Sequence, residues 1–511
     1  MTGHQDHSLP AVVHEWGSLR PHDPALRQGD VVLTWHQLDE AVLASAKALL
    51  ARGISPGDRV MLLGENSVAW VTTFLGCQRA RIIVAPTNTR ISPTQVVEQA
   101  RVLDARCIVF DGELADMVAE ASGAGFSCLD LEDLRAAATG GIADGVDASM
   151  PFATSAETAL VSFTSGTTGV PKGATISHGA LYEMSRSFST YFETGPDDST
   201  LVMVPIFHNT GFVDQLGHMI VSGGMTSLLA RYKTTIAVCE LIEHPVTYLA
   251  SVPSMLRMLM LHDEADEVFT AIDIIMFGGS PMPGAWTDEL LRRWPHLRLV
   301  HAYGLSEFTS VCTFLPPRMV STKGESVGLP LPGVEISVMS DGQEVEIGET
   351  GEVWIAGPTR MTGYWDRPDL TAEKFVGRWL RSGDLGRIDA EGYLWLAGRE
   401  DDVINRGGEK ILPTFVESQI SRHTSVAAAS VFSYADDVLQ QRVAAAVELR
   451  AGSTFDEASI RLLLAQNIPD YSIPDTWVLY DKLPLTASGK IDRRAVAADY
   501  AATISHSKEN R

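Results

Sequence analysis

Ten residues, Thr164-Ser-Gly-Thr-Thr-Gly-Val-Pro-Lys-Gly173, combine three glycines, four side-chain hydroxyls and one lysine. That set suits the binding of phosphate. Gly166, Gly169 and Gly173 let the backbone approach an anion and turn N–H groups toward it, while Ser165, Thr167, Thr168 and Lys172 add donors and charge. The pattern is not Walker A, because Lys172 follows Gly169 by three residues and is succeeded by Gly173 instead of a metal-binding Ser or Thr. Apolar runs on either side, Ala159–Phe163 and Ala174–Ser177, read as strands, so the loop joins two strands and a helix begins after Ser177 as its N-cap. A flexible Gly/Ser/Thr linker would lack both those strands and the single embedded lysine.

Further stretches carry chemistry of the same kind. Tyr303-Gly-Leu-Ser-Glu307 follows the apolar run Leu297–Val300, which places a ring, a hydroxyl and a carboxylate at the carboxyl end of a strand, where open α/β sheets bind ligands. Tyr303 can stack on a base, Ser306 can donate to a phosphate and Glu307 can hold Mg²⁺; a strand-to-helix turn capped by Ser and Glu has the same appearance. Gly278-Gly-Ser-Pro-Met-Pro283 follows Ile272–Met276 in the same manner and lets a ligand lie against backbone, or makes a structural turn. In Ser382-Gly-Asp384 a carboxylate is suited to both hydroxyls of a ribose, with an ordinary Asp turn as the alternative. Arg399 in Gly398–Ile404 gives a second polar anchor, Asn405-Arg-Gly-Gly-Glu-Lys410 exposes backbone at Gly407 and Gly408, and Leu485-Thr-Ala-Ser-Gly-Lys-Ile491 presents Lys490 on a polar turn.

The elements that position these residues follow an α/β rhythm. Arg59–Leu63, a helix over 68–79, Ile82–Ala85, a helix over 94–103 and Ala105–Phe110 predict parallel strands with helical crossovers. A polar Gly/Ala/Asp-rich connection over 139–156 leads into the phosphate loop, and the rhythm resumes through Leu201–Val204, Thr247–Ser251 and Ile272–Met276. Beyond Gly328, short strands and tight turns at Gly348–Gly351 and Ala390–Gly392 predict a β-rich subdomain. From about Asp402 the chain reads as a compact α+β unit. At 511 residues and 45% hydrophobic composition more than one domain is expected.

A formal net charge of −24 disfavours nucleic-acid partners, whose phosphates call for basic surface. The five cysteines, Cys77, Cys107, Cys128, Cys239 and Cys312, are scattered without C-x-x-C spacing, which indicates neither a disulfide framework nor a zinc site and makes a cytoplasmic location the expectation. Neither a secretory signal nor a membrane span is predicted. His4 and His7 read as incidental residues of a frayed tail.

Taken together and in order, from Leu33-Thr-Trp35 to Lys490, these stretches resemble the adenylate-forming superfamily of acyl-CoA synthetases, nonribosomal adenylation domains and firefly luciferase. The resemblance implies an α/β fold: a large N-terminal domain (1–400) of layered α/β subdomains plus a β-rich subdomain, and a small mobile α+β C-terminal domain (401–511). Asp401 would be the hinge, with the active site between the domains. It implies ATP, Mg²⁺ and coenzyme A as co-substrates and cofactor. Thr164, Ser165, Gly166, Thr167, Thr168, Gly169 and Lys172 would hold phosphates, with Ser306 on the α-phosphate and Glu307 on the metal. Gly279, Ser280, Ala302, Tyr303 and Gly304 would receive the adenine side, while Asp384 and Arg399 would fix the ribose. Lys490 would bridge the carboxylate and α-phosphate during adenylation; Gly407, Gly408 and Lys410 would serve thiol transfer. Val204-Pro-Ile-Phe-His-Asn-Thr-Gly211 matches the segment that meets the acyl carboxylate, so Phe207, His208, Asn209, Phe212, Phe277 and Gly278 would line the acyl pocket, with His208 also gating it. Read without the family, His208 is a packed histidine and the phenylalanines are core.

Ser306 and Ser382 stand where the family usually has threonine, and both keep the hydroxyl. Arg81-Ile82 replaces a common Gly-Ala pair, a departure that concerns packing. The 405–410 segment is similar to acyl-CoA ligases and to aryl-acid ligases that load carrier proteins, and about 20 residues follow Lys490, which favours coenzyme A over a carrier protein as acceptor. Asn209 beside His208 is similar to hydroxy-aryl acid ligases, where that amide can bond a ring hydroxyl, with a structural asparagine capping the next turn as the alternative. The expected activity is therefore an AMP-forming acid:CoA ligase for an aromatic, alicyclic or medium-chain acid. A carrier-loading aryl-acid ligase and a non-catalytic nucleotide-binding regulator are the alternatives; luciferase-like oxidation has no further residue to support it.

Overall fold

A computed structural model describes residues 7–139, 150–164, 171–280, 282–436, 438–485 and 491–509. The chain divides into two units, Met1–Glu335 with Ile355–Leu380, and Ile336–Trp354 with Arg381–Arg511. Both mix helices and sheets, as the α/β expectation requires.

In the first unit one sheet runs in the order Gly363–Tyr364, Lys172–Ser177, Thr158–Thr164, Ile83–Thr87, Arg59–Leu63, Cys107–Phe110, Cys128–Asp130. Arg59–Leu63 is parallel to both Ile83–Thr87 and Cys107–Phe110. Their Val, Ile and Leu side chains are buried, which is why the sequence reads as continuous apolar runs here instead of alternating. The helix Val68–Arg79 starts where the Ser67 side chain accepts from the Trp70 N–H and is buried from Ala69 to Arg79. Its stacked Trp70 and Phe74 rings each stabilise the unit by about 2–3 kcal/mol on burial.

That helix ends in a Schellman motif. The Ile82 N–H donates to Cys77 O and the Arg81 N–H to Gln78 O, with Arg81 left-handed at φ +57°. The replacement of a small pair at Arg81-Ile82 thus puts arginine where the backbone favours glycine. Arg81 compensates by an ion pair, Nε to Glu157 Oε2 at 2.8 Å. The expected strand Ile82–Ala85 accordingly begins one residue later, at Ile83.

A second sheet of the same unit runs Leu329–Pro330, Val311–Leu315, Arg298–Gly304, Ile274–Gly278, Tyr248–Ser251, Ser199–Val202, Met225–Leu228, Pro24–Gln28, Val31–Thr34. Four expected strands of this sheet have shifted boundaries: Thr247–Ser251 starts at Tyr248, Ile272–Met276 is Ile274–Gly278, and two others move for reasons of their own. The strand expected over Leu201–Val204 is Ser199–Val202, because its continuation is taken up by the Asn66 side chain. The strand expected over Leu297–Val300 extends to Gly304, pairing antiparallel with Val311–Leu315, so Tyr303 lies inside a strand and not in the loop after it.

In the second unit Asp384–Ile388, the end of strand Trp379–Ile388, pairs antiparallel with Leu394–Arg399. The predicted turns carry Gly348 at φ +92° and Gly392 at φ +88°. The C-terminal sheet runs Glu409–Ile411, Ile404–Arg406, Gln440–Leu449, Val426–Asp436, with Thr476–Tyr480 alongside Gln440–Leu449. Val416 and Ile420 from one helix, Ile460 and Leu464 from another, and Val431, Val443 and Val447 from the strands close its core.

Candidate active site

The strands Thr158–Thr164 and Lys172–Ser177 are antiparallel, with Thr164 opposite Lys172. The chain therefore leaves and re-enters the sheet at one point, as a loop between strands must. Ser165, Gly166, Thr167, Thr168 and Gly169 lie outside the described residues, as does the Thr164 side chain. At the re-entry, a Cβ on Gly173 would stand 2.5 Å from Val161 Cγ1, so only glycine fits beside Lys172.

Strand pairing gives Lys172 a neighbour that the sequence did not flag. Gly363–Tyr364 adds to the edge of Lys172–Ser177, with Tyr364 opposite Ala174. The Lys172 Nζ lies 5.9 Å from the centroid of the Tyr364 ring. The Tyr364 hydroxyl donates to Glu307 Oε1 at 2.8 Å, and the Met361 N–H donates to the Glu307 carbonyl at 2.8 Å. One buried phenol thus joins the lysine after the phosphate loop to the expected metal carboxylate. Because that donor is neutral, it orients Glu307 without cancelling its charge. Mg²⁺ suits such a site, since it takes one or two carboxylates and fills its remaining positions with water and substrate phosphates.

Glu307 sits in the short 3₁₀ turn Ser306–Phe308, directly after the strand that carries Ala302, Tyr303 and Gly304. Tyr303 is buried, Ser306 half-buried. A Cβ on Gly304 would collide with the Ser310 carbonyl oxygen, and one on Gly278 would stand 2.7 Å from Ala302 O. Both glycines therefore let neighbouring backbone close in. Gly279 follows with φ +78°, and Ser280 is half-buried.

The segment 204–211 is shaped by Asn66, a buried side chain from the loop between strand Arg59–Leu63 and helix Val68–Arg79. Its amide donates to the carbonyls of Val202 (3.1 Å), Val204 (2.9 Å) and Leu229 (2.9 Å), and its oxygen accepts from the Ile206 N–H (2.7 Å). Gly211 then turns the chain so tightly that a Cβ would stand 2.6 Å from Ile206 Cα. Phe207 and His208 lie ring to ring at 4.5 Å. Phe212 packs on Phe74 at 5.6 Å, and Phe277 stacks on His301 at 4.9 Å. Burial pushes the His301 imidazole down to about 4, so it is neutral there. The Asn209 amide donates to the Thr309 carbonyl, tying this segment to the one that carries Glu307.

In the second unit Asp384 stands opposite Arg399 on paired strands, with Nε 3.7 Å from Oδ1. Ser382 is buried; its hydroxyl donates to Val353 O at 2.6 Å and accepts from the Asp384 N–H at 2.9 Å, a task for which the hydroxyl of either Ser or Thr serves. Asp401 lies in the exposed turn Glu400–Asp402. Gly407 (φ +59°) and Gly408 (φ +98°) make the two-residue turn between Ile404–Arg406 and Glu409–Ile411, and Lys410 is exposed. Lys490 lies outside the described residues. The chain on either side of it is pinned: Leu485 bridges Ile491, the Asp492 N–H donates to Pro484 O at 2.8 Å, and Arg493 pairs with Glu417 at 3.0 Å and with Asp402.

The order of these motifs on two α/β units defines a nucleotide-dependent enzyme of the adenylate-forming class. The chain belongs to the AMP-binding enzyme family: the family's model matches residues 13–365, and that of the AMP-binding enzyme C-terminal domain matches residues 416–490. It is 29% identical over 477 residues to a feruloyl-CoA synthase of Amycolatopsis sp., covering 93% of this chain and 95% of that one. Among solved structures it is similar to the o-succinylbenzoate CoA synthetase of Bacillus subtilis in complex with its acyl-adenylate intermediate, with TM-score 0.84, 25% identity and coverage of 96% and 98% of the two chains. ATP-bound MatB from Rhodopseudomonas palustris gives TM-score 0.87 at 25% identity, covering 97% and 99%. The resemblance read from the sequence is borne out. Among the described residues no helix is long and apolar enough to cross a membrane.

Proposed function

We propose that this protein is a cytoplasmic, ATP-dependent, AMP-forming ligase that joins an aromatic carboxylic acid to coenzyme A through an acyl-AMP. The observation that carries this reading is the Lys172–Tyr364–Glu307 arrangement, a cation and an uncancelled carboxylate held on one phenol in a member of the AMP-binding enzyme family. Two of its similar proteins, a feruloyl-CoA synthase and an o-succinylbenzoate CoA synthetase, are named for aromatic acids.

In the first half-reaction a carboxylate oxygen attacks the α-phosphorus of ATP and the bond to pyrophosphate breaks. Two anions must meet, so fixed donors and cations at the developing charge carry the catalysis. Lys490 is assigned to the carboxylate and α-phosphate, Lys172 and the 164–169 loop to the departing phosphates, and Ser306 to the α-phosphate. Glu307 would hold Mg²⁺, which when bound neutralises phosphate charge. Tyr303 with Gly279, Ser280, Ala302 and Gly304 would receive adenine, and Asp384 with Arg399 the ribose. In the second half-reaction the thiol sulfur attacks the acyl carbonyl and AMP leaves. Asp401 is assigned as the hinge of a C-terminal domain from 401, Gly407, Gly408 and Lys410 as its thiol-transfer loop, and Phe207, His208, Asn209, Phe212, Phe277 and Gly278 to the acid.

ATP–pyrophosphate exchange with ferulate, 2-succinylbenzoate and straight-chain acids tests the first half-reaction. Exchange with at least one aromatic acid is expected, and exchange with none overturns the reading. Product analysis with coenzyme A beside a phosphopantetheinylated carrier protein then decides the acceptor. Lys490→Ala is expected to slow exchange by at least roughly a hundredfold while sparing thiol transfer from a supplied acyl-AMP. Normal pyrophosphate exchange by that variant would remove Lys490 from its role.

A further inference from the structure

Directly after Glu307 the backbone takes a conformation that its residue disfavours. Thr309 has φ +68° and ψ −47°, and the Ser310 N–H donates back to Phe308 O at 2.8 Å. That is the classic γ-turn, rare and strained, with a β-branched residue at its centre where such a φ is an outlier. Strain of about 1–3 kcal/mol persists only where the surroundings over-determine it.

Three side-chain bonds do so here. Thr309 Oγ1 donates to Thr359 O at 2.5 Å, the Asn209 amide donates to Thr309 O, and Ser310 Oγ donates to Asp214 Oδ1 at 2.5 Å. Asp214 is buried, on the π-helical turn Phe212–Gly217 that continues directly from the 204–211 segment. A single widened turn of this kind is frequent at functional positions. Two of the three bonds therefore run between the segment assigned to the acid and the residues next to Glu307.

We propose that Asp214 and Ser310 are positioning residues for adenylation: their hydrogen bond, with that of Asn209, holds the Thr309 turn and thereby fixes the Glu307 carboxylate relative to the acid-binding segment. The proposal rests on the ligase reading for what Glu307 does. The turn converts hydrogen bonds made by the acid segment into the placement of the metal carboxylate, so loosening it should be felt first as a weaker response to Mg²⁺. Asp214→Asn keeps an oxygen that accepts from Ser310, and so serves as the conservative replacement.

The test is a titration of the whole protein with Mg²⁺ at fixed ATP, followed by calorimetry and, with whichever acid turns over, by ATP–pyrophosphate exchange. Ser310→Ala is expected to raise the Mg²⁺ concentration at half-saturation by about tenfold, the scale of losing one buried hydrogen bond. Asp214→Asn should stay within about threefold of the parent. Thr309→Gly removes the bond to Thr359 and frees the backbone of the turn to leave this conformation, so it should shift the Mg²⁺ response in the same direction as Ser310→Ala. Parental Mg²⁺ dependence in both Ser310→Ala and Thr309→Gly overturns the proposal, whatever happens to their melting temperatures. If the parent binds Mg²⁺ with ATP but exchanges pyrophosphate with no acid, the ligase reading fails while the calorimetric comparison still decides this one.

Discussion

Glu307 and Asp384, the two carboxylates assigned to the nucleotide, are held in opposite ways. Glu307 receives a hydrogen bond from the Tyr364 phenol, a neutral donor. Asp384 faces the Arg399 guanidinium across a strand pair, and the Ser382 hydroxyl accepts its backbone N–H. A carboxylate kept for a dication must retain its negative charge, whereas one kept for ribose hydroxyls need only accept hydrogen bonds and stay in place. The surroundings thus separate an electrostatic role from a recognition role where residue type alone does not.

Conservative amides break that comparison most sharply. Glu307→Gln removes the charge and keeps the shape, and pyrophosphate exchange is expected to fall by about a hundredfold, with partial recovery in excess Mg²⁺. Asp384→Asn keeps one acceptor, and is expected to raise the KM for ATP by about tenfold with kcat largely retained. Equal effects of the two substitutions on kcat and KM would erase the distinction. Tyr364→Phe is a smaller perturbation, because the ring beside Lys172 remains while the bond to Glu307 is lost. A decline of about threefold to tenfold in kcat is expected, without a change in the KM for ATP. A loss as large as that of Glu307→Gln would mean that the phenol does more than orient the carboxylate.

What the sequence revealed, and what it concealed, follows from the range of the interactions. The strands that flank the loop before Lys172, the strand that leads into Tyr303–Glu307 and the stretches holding Asp384 and Arg399 were legible as local patterns, whereas their assignment to a nucleotide came from the order of motifs shared with the family and not from residue type alone. Tyr364 was not, since its role depends on strand Gly363–Tyr364 adding to Lys172–Ser177; 187 positions separate Thr362 from its partner Thr175. Asn66 was missed for the same reason: it meets Ile206 across 140 positions and looks from sequence like an ordinary loop asparagine. The Thr309 turn left no trace at all, because threonine is among the last residues one would place at positive φ. The start of Ile83–Thr87 was misplaced because left-handed Arg81 ends the preceding helix, and the end of Ser199–Val202 because the Asn66 side chain takes up its continuation, neither of which the apolar pattern shows.

A third carboxyl extends the contrast to pH. Asp214 has neither a metal role nor a guanidinium assigned to it; burial pushes it up to about 7, against lowering by hydrogen bonds from Ser310 and Thr210. With the folded value above the unfolded one, the native state holds the proton more tightly. Stability from this group is thus present at low pH and lost as pH rises from about 4 to about 7. His178 and His218 work in the other direction: burial pushes them down to about 4 and about 3, so their contribution is complete above about 6.5 and is lost as acid protonates the unfolded chain. Asp214→Asn isolates the first effect. Its melting temperature relative to the parent should rise between pH 5 and 8, opening a gap of about 3 °C. A gap that is constant with pH would show that Asp214 is ionised in the native state.

Arg81 offers the smallest effect and the reverse case, a charge that serves the fold. At φ +57° an arginine costs about 1 kcal/mol relative to glycine, and a half-exposed ion pair such as Arg81–Glu157 returns about 0–1 kcal/mol. Arg81→Gly relieves the first and forfeits the second, so urea unfolding should place it within about 1 kcal/mol of the parent. Arg81→Ala keeps the strained backbone and loses the pair, and should be the less stable of the two variants. Both variants lack the Glu157 contact, so the reverse order would mean that the left-handed backbone at 81 carries no penalty in this cap, and activity should be unchanged in both because Arg81 does not belong to the site.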